Sequence, residues 1–376
     1  MRMEGGRVKC EIEFLAVGEA MKAGDAIIIR YGDVSAYELM LIDGGHAGTG
    51  ENIVAHLKRH FGPSPVLEHV VLTHSDADHA SGLRTVLKEI KVKNLWMHVP
   101  WLLAEASRGL FKDKRWTEEG LCSKIKGEYD ILSEIFDLGR ASNCKIFYPF
   151  VGSDIGPFKI LSPSRAAYRY LLPQFDKTPD PDQEAIEAGR MWLSKDTLIK
   201  KAMEAVKAAV QSWTTEAWDK ERLRDGGVTS ASNESSVVLY GSFEKGNVLL
   251  TGDAGINGLT WAADEADSRG LPLQQISFVQ IPHHGSRRNV GPTILNRLLG
   301  SSQRENDPAR FTAFVSAPKD DDQHPRRIVL NAFKRRGAKV CVTQGTGKLH
   351  YGGFPRRDGY SDAEIVPFYT QVEEYT

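Results

Sequence analysis

The chain is short of cysteine, of net charge and of long apolar runs, and each shortage excludes something. Its four cysteines, Cys10, Cys122, Cys144 and Cys341, form no Cys-x-x-Cys pair. That argues against a disulfide scaffold or a thiolate metal site, and the thiols read as buried or incidental in a cytosolic protein. Lys plus Arg number 48 against 49 Asp plus Glu, a net charge of −1, so no global field marks a polyanionic partner. A sum leaves a local basic face open. No run reaches the roughly 18–20 apolar residues that span a bilayer. The opening Met1-Arg2-Met3-Glu4-Gly5-Gly6-Arg7 lacks the apolar core of a signal peptide, so membrane residence is not expected. Internal repeats and low-complexity tracts are also missing. What is there suits one large α/β domain with insertions: 376 residues, 41% hydrophobic and 26% charged.

Short apolar segments ending in Gly-rich turns predict strands at Cys10–Val17, with Ile12 and Phe14 facing in, at Asp25–Tyr31 and at Tyr37–Ile42. Ile53, Leu57 and Phe61 fall at helical spacing, and Gly62-Pro63 stops that helix. A strand at His69–Thr73, a helix at Ser81–Ile90 and a strand at Asn94–Val99 continue the alternation. Pro100–Gly139 reads as mostly helical, and Cys144–Phe150 and Pro157–Leu161 as strands. Residues 164–228 stand apart as a helical cap insertion within a domain spanning 8–376. Their long helical pattern runs from Glu184 to Leu223, with Met191, Leu198, Ala202, Val206, Ala209 and Trp213 as its apolar stripe. Beyond it, strands are expected at Ser235–Tyr240, Asn247–Thr251, Ser277–Ile281, Thr312–Val315, Lys339–Val342 and Lys348–Tyr351. Helices are expected at Ile256–Ser268, Thr293–Leu299 and Arg326–Arg336.

The chemistry gathers at strand ends. His74-Ser75-Asp76-Ala77-Asp78-His79 crowds two imidazoles and two carboxylates directly after a strand, where the strand end fixes the loop's entry. Imidazole and carboxylate are the ligands of divalent metals. The plainer alternative is a solvated acidic turn. Asp253, in Leu249-Leu250-Thr251-Gly252-Asp253, is either a helix N-cap or a ligand. Ile281-Pro282-His283-His284-Gly285-Ser286 is a further strand end, carrying a histidine pair.

In this order the residues resemble the motifs of the metallo-β-lactamase superfamily. Asp43, in Leu41-Ile42-Asp43-Gly44-Gly45, matches the Asp that supports the metal loop. Thr73–His79 matches His-x-His-x-Asp-His, Asp253 the bridging Asp, and His283-His284 the last ligand. Asp76 departs from that pattern, which has His there. The departure is similar to the His-x-Asp-x-Asp-His of the soluble domain of ComEC competence proteins. So are Phe14-Leu15-Ala16-Val17-Gly18 with Gly24-Asp25-Ala26, Asn233-Glu234-Ser235-Ser236 entering a strand, and Ser316 with His324-Pro325. The resemblance covers residues 10–162 and 230–351 and leaves the helical stretches near 100–140 and 164–228 unexplained.

The resemblance implies a four-layer αββα sandwich with a helical insertion. It also implies a metal-dependent hydrolase holding two divalent ions, Zn or Mn, on His74, Asp76, Asp78, His79, Asp253 and one or both of His283 and His284, with Asp43 orienting a ligand imidazole. Replacing an imidazole by Asp76 hardens the site and moves the expected metal from Zn toward Mn. Asp78 and His324 are the catalytic candidates, His324 as proton donor to a leaving group, although it also suits a plain helix-start loop. Asn233, Ser235, Ser286 and Arg287 are substrate-binding candidates. Phosphodiesters, nucleic acid among them, are the expected substrates, and Arg287-Arg288, Lys319, Arg326 and Arg327 offer a basic rim. A small ester, lactone or phosphorylated metabolite is the second substrate class, and a non-catalytic interaction protein that retains the fold is the third reading. The sequence carries no signal for an oligomeric state.

Overall fold

The computed structural model describes residues 7–18, 22–190 and 212–375. Its strands, in chain order, are β1 (Lys9–Phe14), β2 (Ile27–Gly32), β3 (Tyr37–Ile42), β4 (Val66–Val71), β5 (Lys91–Trp96), β6 (Lys145–Phe147), β7 (Asp154–Ile155), β8 (Phe158–Ser162), β9 (Trp213–Thr215), β10 (Val238–Phe243), β11 (Gly246–Leu250), β12 (Ile276–Gln280), β13 (Phe311–Val315), β14 (Ala338–Val342), β15 (Lys348–His350) and β16 (Gln371–Glu373). They form two seven-stranded sheets, ordered β15-β1-β2-β3-β4-β5-β6 and β14-β13-β12-β11-β10-β8-β7, with a small β16-β9 ribbon.

Both sheets are built alike. Antiparallel neighbours lead into four parallel strands, β3 to β6 in one and β11 to β14 in the other. Parallel neighbours need crossovers, and helices supply them: Ala47–Phe61 and Leu83–Glu89 on the first sheet, Ile256–Ser268, Pro292–Leu299 and Arg327–Arg335 on the second.

Alternation along the strands sorts the side chains into layers. Ile27, Ile29, Met40 and Ile42 point to the core between the sheets, where they meet Phe158, Leu239, Leu250, Phe278 and Phe314. Ile28 and Leu41 point the other way, under the first helix layer with Ile53, Leu57 and Val86. Leu249, Val279 and Ala313 pack under the second helix layer with Leu259, Leu295 and Val329. Helix, sheet, sheet and helix therefore stack as the expected αββα sandwich. Ile12 and Phe14 face the inter-sheet core, and Glu11 and Glu13 on the opposite face are buried too. Arg30 and Arg357 pair with Glu11, and Arg357, His56 and Tyr360 contact Glu13.

One element differs from its prediction. The helical pattern from Glu184 to Leu223 begins as a helix at Gln183–Arg190, and Met191, Leu198, Ala202, Val206 and Ala209 lie outside the described residues. Its last stretch is not helical. Trp213–Thr215 is a strand that pairs with Gln371–Glu373. Aromatic and β-branched residues favour that conformation. A buried ion pair anchors the chain just beyond it: Arg335 Nη1 donates to Glu216 Oε1 at 2.9 Å, and Arg335 Nε donates to Trp218 O at 2.8 Å. This stretch is thus fastened to the outer helix of the second sheet.

No helix among the described residues is long and apolar enough to cross a membrane. All four cysteines are free.

Candidate metal centre

The carboxyl ends of the parallel strands of both sheets meet at one edge, the usual place for a site in an open α/β sheet. From the first sheet, β3 runs into Asp43 and β4 into the loop Leu72–Ser81. Asp43 is fully buried and lies in the left-handed region, at φ 58°. It fixes that loop at both ends: Thr73 N donates to its Oδ1 at 2.8 Å, and Thr73 Oγ1 and His79 Nδ1 each lie 2.7 Å from its Oδ2. Asp76 is the N-cap residue of the turn Ala77–Ala80, yet its side chain caps nothing. Its Oδ1 accepts instead from Ser232 Oγ at 2.6 Å.

From the second sheet, β11 runs into Asp253 and β12 into His283-His284. The N-cap of Ile256–Ser268 is Gly255, so Asp253 is not the cap. Gln280 Oε1 accepts from Thr251 N and Gly252 N at 2.9 and 3.0 Å, and Asn289 Nδ2 donates to Asp253 O at 2.8 Å. His283 and His284 are both left-handed, at φ 45° and 53°, a strained conformation for residues with a Cβ.

The four histidines share one tautomer. His79 Nδ1–H donates to Asp43. His74 Nδ1 lies 3.0 Å from Thr73 Oγ1, whose own proton is committed to Asp43, so the imidazole donates. His283 Nδ1 lies 2.8 Å from Asn289 Oδ1, and His284 Nδ1 lies 3.2 Å from Ser316 O. Every Nε2 lone pair is therefore left free. All four converge on Asp253: its Oδ2 lies 3.4, 3.7, 3.8 and 3.9 Å from Nε2 of His79, His283, His284 and His74. Asp76 Oδ2 is 3.6 Å from His74 Nε2, and Asp78 Oδ2 is 4.0 Å from His79 Nε2. The Nε2 atoms of His74, His79 and His284, and Asp253 Oδ1, are buried with no hydrogen-bond partner.

With the imidazoles neutral, these buried lone pairs face one another and suit cations at their centre. His74, His79 and Asp253 form one group able to hold an ion, and Asp78, His79 and His284 another. Asp25, Asp43 and His79 also lie close together, but Asp43 already takes His79 Nδ1 in a hydrogen bond.

The electrostatics show the same demand for positive charge. Burial works against a charged His79, yet Asp253 and Asp43 hold its pKa well above the ordinary value. Burial likewise opposes a charged Asp253, but the imidazoles of His79, His283 and His284 keep it well below the usual carboxylate range. Asp76, despite burial, is lowered to about 2 by His74 and by the hydrogen bonds from His74 and Ser232. Burial pushes His284 down to about 4.

The other predicted residues fall around this centre. His324 stacks on His283, with ring centroids 6.4 Å apart, and its Nδ1 is 3.3 Å from Asp321 Oδ2. Asn233 is buried beside His283, 3.3 Å from its Nδ1, and donates to Thr229 Oγ1 at 2.8 Å. Ser235 is turned into its own turn, donating to Ser232 O at 2.6 Å, and buried Ser286 accepts from Arg288 N at 3.3 Å. Arg287 lies over the Tyr375 ring and donates to Glu374 O at 2.8 Å, so part of its fork is used within the fold.

Sequence reasoning missed three residues. Asp25 is buried with Oδ1 4.0 Å from His284 Nδ1, and its Oδ2 accepts from Gln280 Nε2 at 2.7 Å. It stands to His284 as Asp43 does to His79, at longer range. Gly24-Asp25-Ala26 was the available signal. Ser232 and Asn289 hold Asp76 and His283, and a lone Ser or Asn carries no motif that would have marked them.

A sequence profile described as the Metallo-beta-lactamase superfamily matches residues 24–137. No curated protein matches the chain. Among solved structures, Tm1679, a metal-dependent hydrolase of the beta-lactamase superfamily, is 14% identical, with 90% of this chain and 98% of that one covered and a TM-score of 0.40. Zn(2+)-bound PqqB from Methylobacterium extorquens is 12% identical, covering 90% and 99%, at a TM-score of 0.39. A diphosphatase from the PhnP family is 9% identical, covering 91% and 97%, at a TM-score of 0.38. Likenesses at this level say nothing of substrate. The matched residues 24–137 carry Asp43 and the whole His74–His79 cluster, so the profile resemblance falls on the half of the centre that the first sheet supplies.

Proposed function

We propose that the protein is a metal-dependent hydrolase of phosphodiesters, nucleic acid among them. The observation that carries this reading is the convergence of four Nε2 lone pairs on the Asp253 carboxylate, three of them buried without a partner. His74, Asp76, Asp78, His79, Asp253, His283 and His284 would hold two divalent ions. Such ions, when bound, supply an activated hydroxide and Lewis acidity toward a phosphoryl or carbonyl oxygen.

The chain's own groups do the rest. Asp43 keeps His79 in the ligating tautomer and, through Thr73, His74 as well. Asn289 and Ser316 O do the same for His283 and His284. His324, beside Asp321 and stacked on His283, would be the group that delivers a proton to a departing oxygen. Five carboxylates in this edge, Asp25, Asp43, Asp76, Asp78 and Asp253, make an oxygen-rich site that suits Mn as well as Zn. Asp76 favours phosphodiesters through its likeness to the competence-protein pattern. A small phosphorylated metabolite is the second reading, favoured by a cavity of about 350 Å³ beside Asp76 and Asp78.

Metal analysis of the purified protein should find about two transition-metal ions per chain. Mn- and Zn-loaded protein should cleave bis-p-nitrophenyl phosphate and single-stranded DNA or RNA in preference to a lactone panel. A metal-free protein, or metal retained in full by both Asp78→Ala and Asp253→Ala, would overturn the assignment.

A further inference from the structure

The two helical stretches that the metal centre does not need meet over it. The junction of Glu118–Glu128 and Asp130–Ala141 places Tyr129 there, and the chain after Arg165–Leu171 places Gln174–Lys177. With Ser75, Asp76, Asp78 and Ser230–Ser232 they enclose the cavity of about 350 Å³ on the outer side of the metal loop. That is near the small end of ligand pockets, about 300–1,000 Å³, and too small for a duplex.

The cavity is wired to the centre. Ser232 Oγ must donate to Asp76 Oδ1, since a carboxylate only accepts. Ser75 Oγ, 2.9 Å from Ser232 Oγ, must then be the donor to it. Tyr129 lines the same cavity beside Ser75. Both serine protons thus point toward Asp76. Among the described residues, Lys177 is the one cation of the lining. Its ammonium lies 5.5 Å from the centre of the Tyr129 ring, and it makes no ion pair among the described residues. Asp176 is exposed at the same rim.

Building on the phosphodiester reading above, we propose that this cavity receives one nucleotide-sized arm of the substrate and that Lys177 binds a second phosphate on that arm. The substrate class is a phosphodiester with a terminal phosphomonoester next to the scissile bond. A carboxylate at Asp176 weakens the attraction and sets its strength.

The test compares hydrolysis of dithymidine monophosphate (TpT) with its 5′-phosphorylated form (pTpT), beside bis-p-nitrophenyl phosphate. The wild type should favour pTpT by about tenfold in kcat/KM, the worth of one charge-assisted hydrogen bond. Lys177→Ala should erase that preference through KM, Lys177→Arg should keep it, and Asp176→Asn should enlarge it. Both side chains lie at the cavity rim, outside the packed core, so folding is not at stake. Cleavage of bis-p-nitrophenyl phosphate without any preference for pTpT, or a preference that survives Lys177→Ala, overturns this inference and leaves the phosphodiester reading standing. Failure to cleave any of the three overturns that reading and this inference with it.

Discussion

Asp43→Asn separates the metal centre from the fold more cleanly than removal of any ligand. The carboxylate accepts three hydrogen bonds, from Thr73 N, Thr73 Oγ1 and His79 Nδ1. An amide has one oxygen. If that oxygen stays on Thr73 N, the NH₂ faces two donors. His79 must then move its proton to Nε2 and loses the lone pair that faces Asp253. Thr73 must rotate its hydroxyl, which releases His74 Nδ1. Loss of one such supporting group weakens metal binding about 10–100-fold. Because two histidines are disturbed here, the upper end is expected, about 2.7 kcal/mol. The metal-free protein should lose less stability than that, because a neutral amide replaces a buried carboxylate that Asp25 also feels. The assay is competition with a chromogenic chelator, paired with urea unfolding in EDTA. Wild-type metal affinity in the variant would refute the tautomer argument. A loss of metal-free stability as large as the loss of affinity would place Asp43 in the fold instead.

Other outcomes rest on the same geometry. Chelation should lower the thermal midpoint of the loaded protein, because an ion at about 100 times its Kd adds about 2.7 kcal/mol; an unchanged midpoint would mean the centre is not loaded. His98 is buried between Phe150 and Tyr168 with both ring nitrogens unpartnered, and burial pushes its pKa down to about 3. The unfolded chain then takes a proton below about pH 6.5 that the fold refuses, so metal-free stability should fall from there toward pH 3, by up to about 1.4 kcal/mol per pH unit. His98→Phe should flatten that slope in urea titrations at pH 7.5 and 5. Arg335 and Glu216 are each 1% exposed, and truncating either to Ala should cost about 3–5 kcal/mol in the same titration by stranding the other charge.

Much of this was legible in the sequence, and for identifiable reasons. Tyr37–Ile42 and Ile256–Ser268 match their predicted bounds because a short apolar run in the one, helical period in the other and glycines at their ends all agree there. Asp43, His74 and Asp253 could be picked out because each follows an apolar strand. The groups that hold them in place could not. Gln280 meets Asp25 across 255 residues, and Ser232 meets Asp76 across 156. Such pairings exist only once the two sheets are closed. Trp213–Thr215 was misread because an apolar stripe extends helical spacing into it, while the deciding partner, Gln371–Glu373, lies at the other end of the chain. The choice between cap and ligand at Asp253 likewise turned on where the helix begins, at Gly255.

Strain marks the same centre. Five described residues other than glycine have positive φ, and three of them are Asp43, His283 and His284. Each such residue costs on the order of 1–3 kcal/mol and persists only where its surroundings over-determine it. Here the surroundings can be named: three hydrogen bonds on Asp43, Asn289 on His283, and Ser316 O on His284. The first sheet contributes His74, Asp76, Asp78 and His79, the second Asp253, His283 and His284, and the core between the sheets fixes the two sets against each other. The directions of these side chains are therefore set by packing and by their hydrogen bonds. Selection among metals would then fall to donor chemistry, and Asp76, which stands where the superfamily pattern has His, is also tied through Ser232 and Ser75 to the cavity wall.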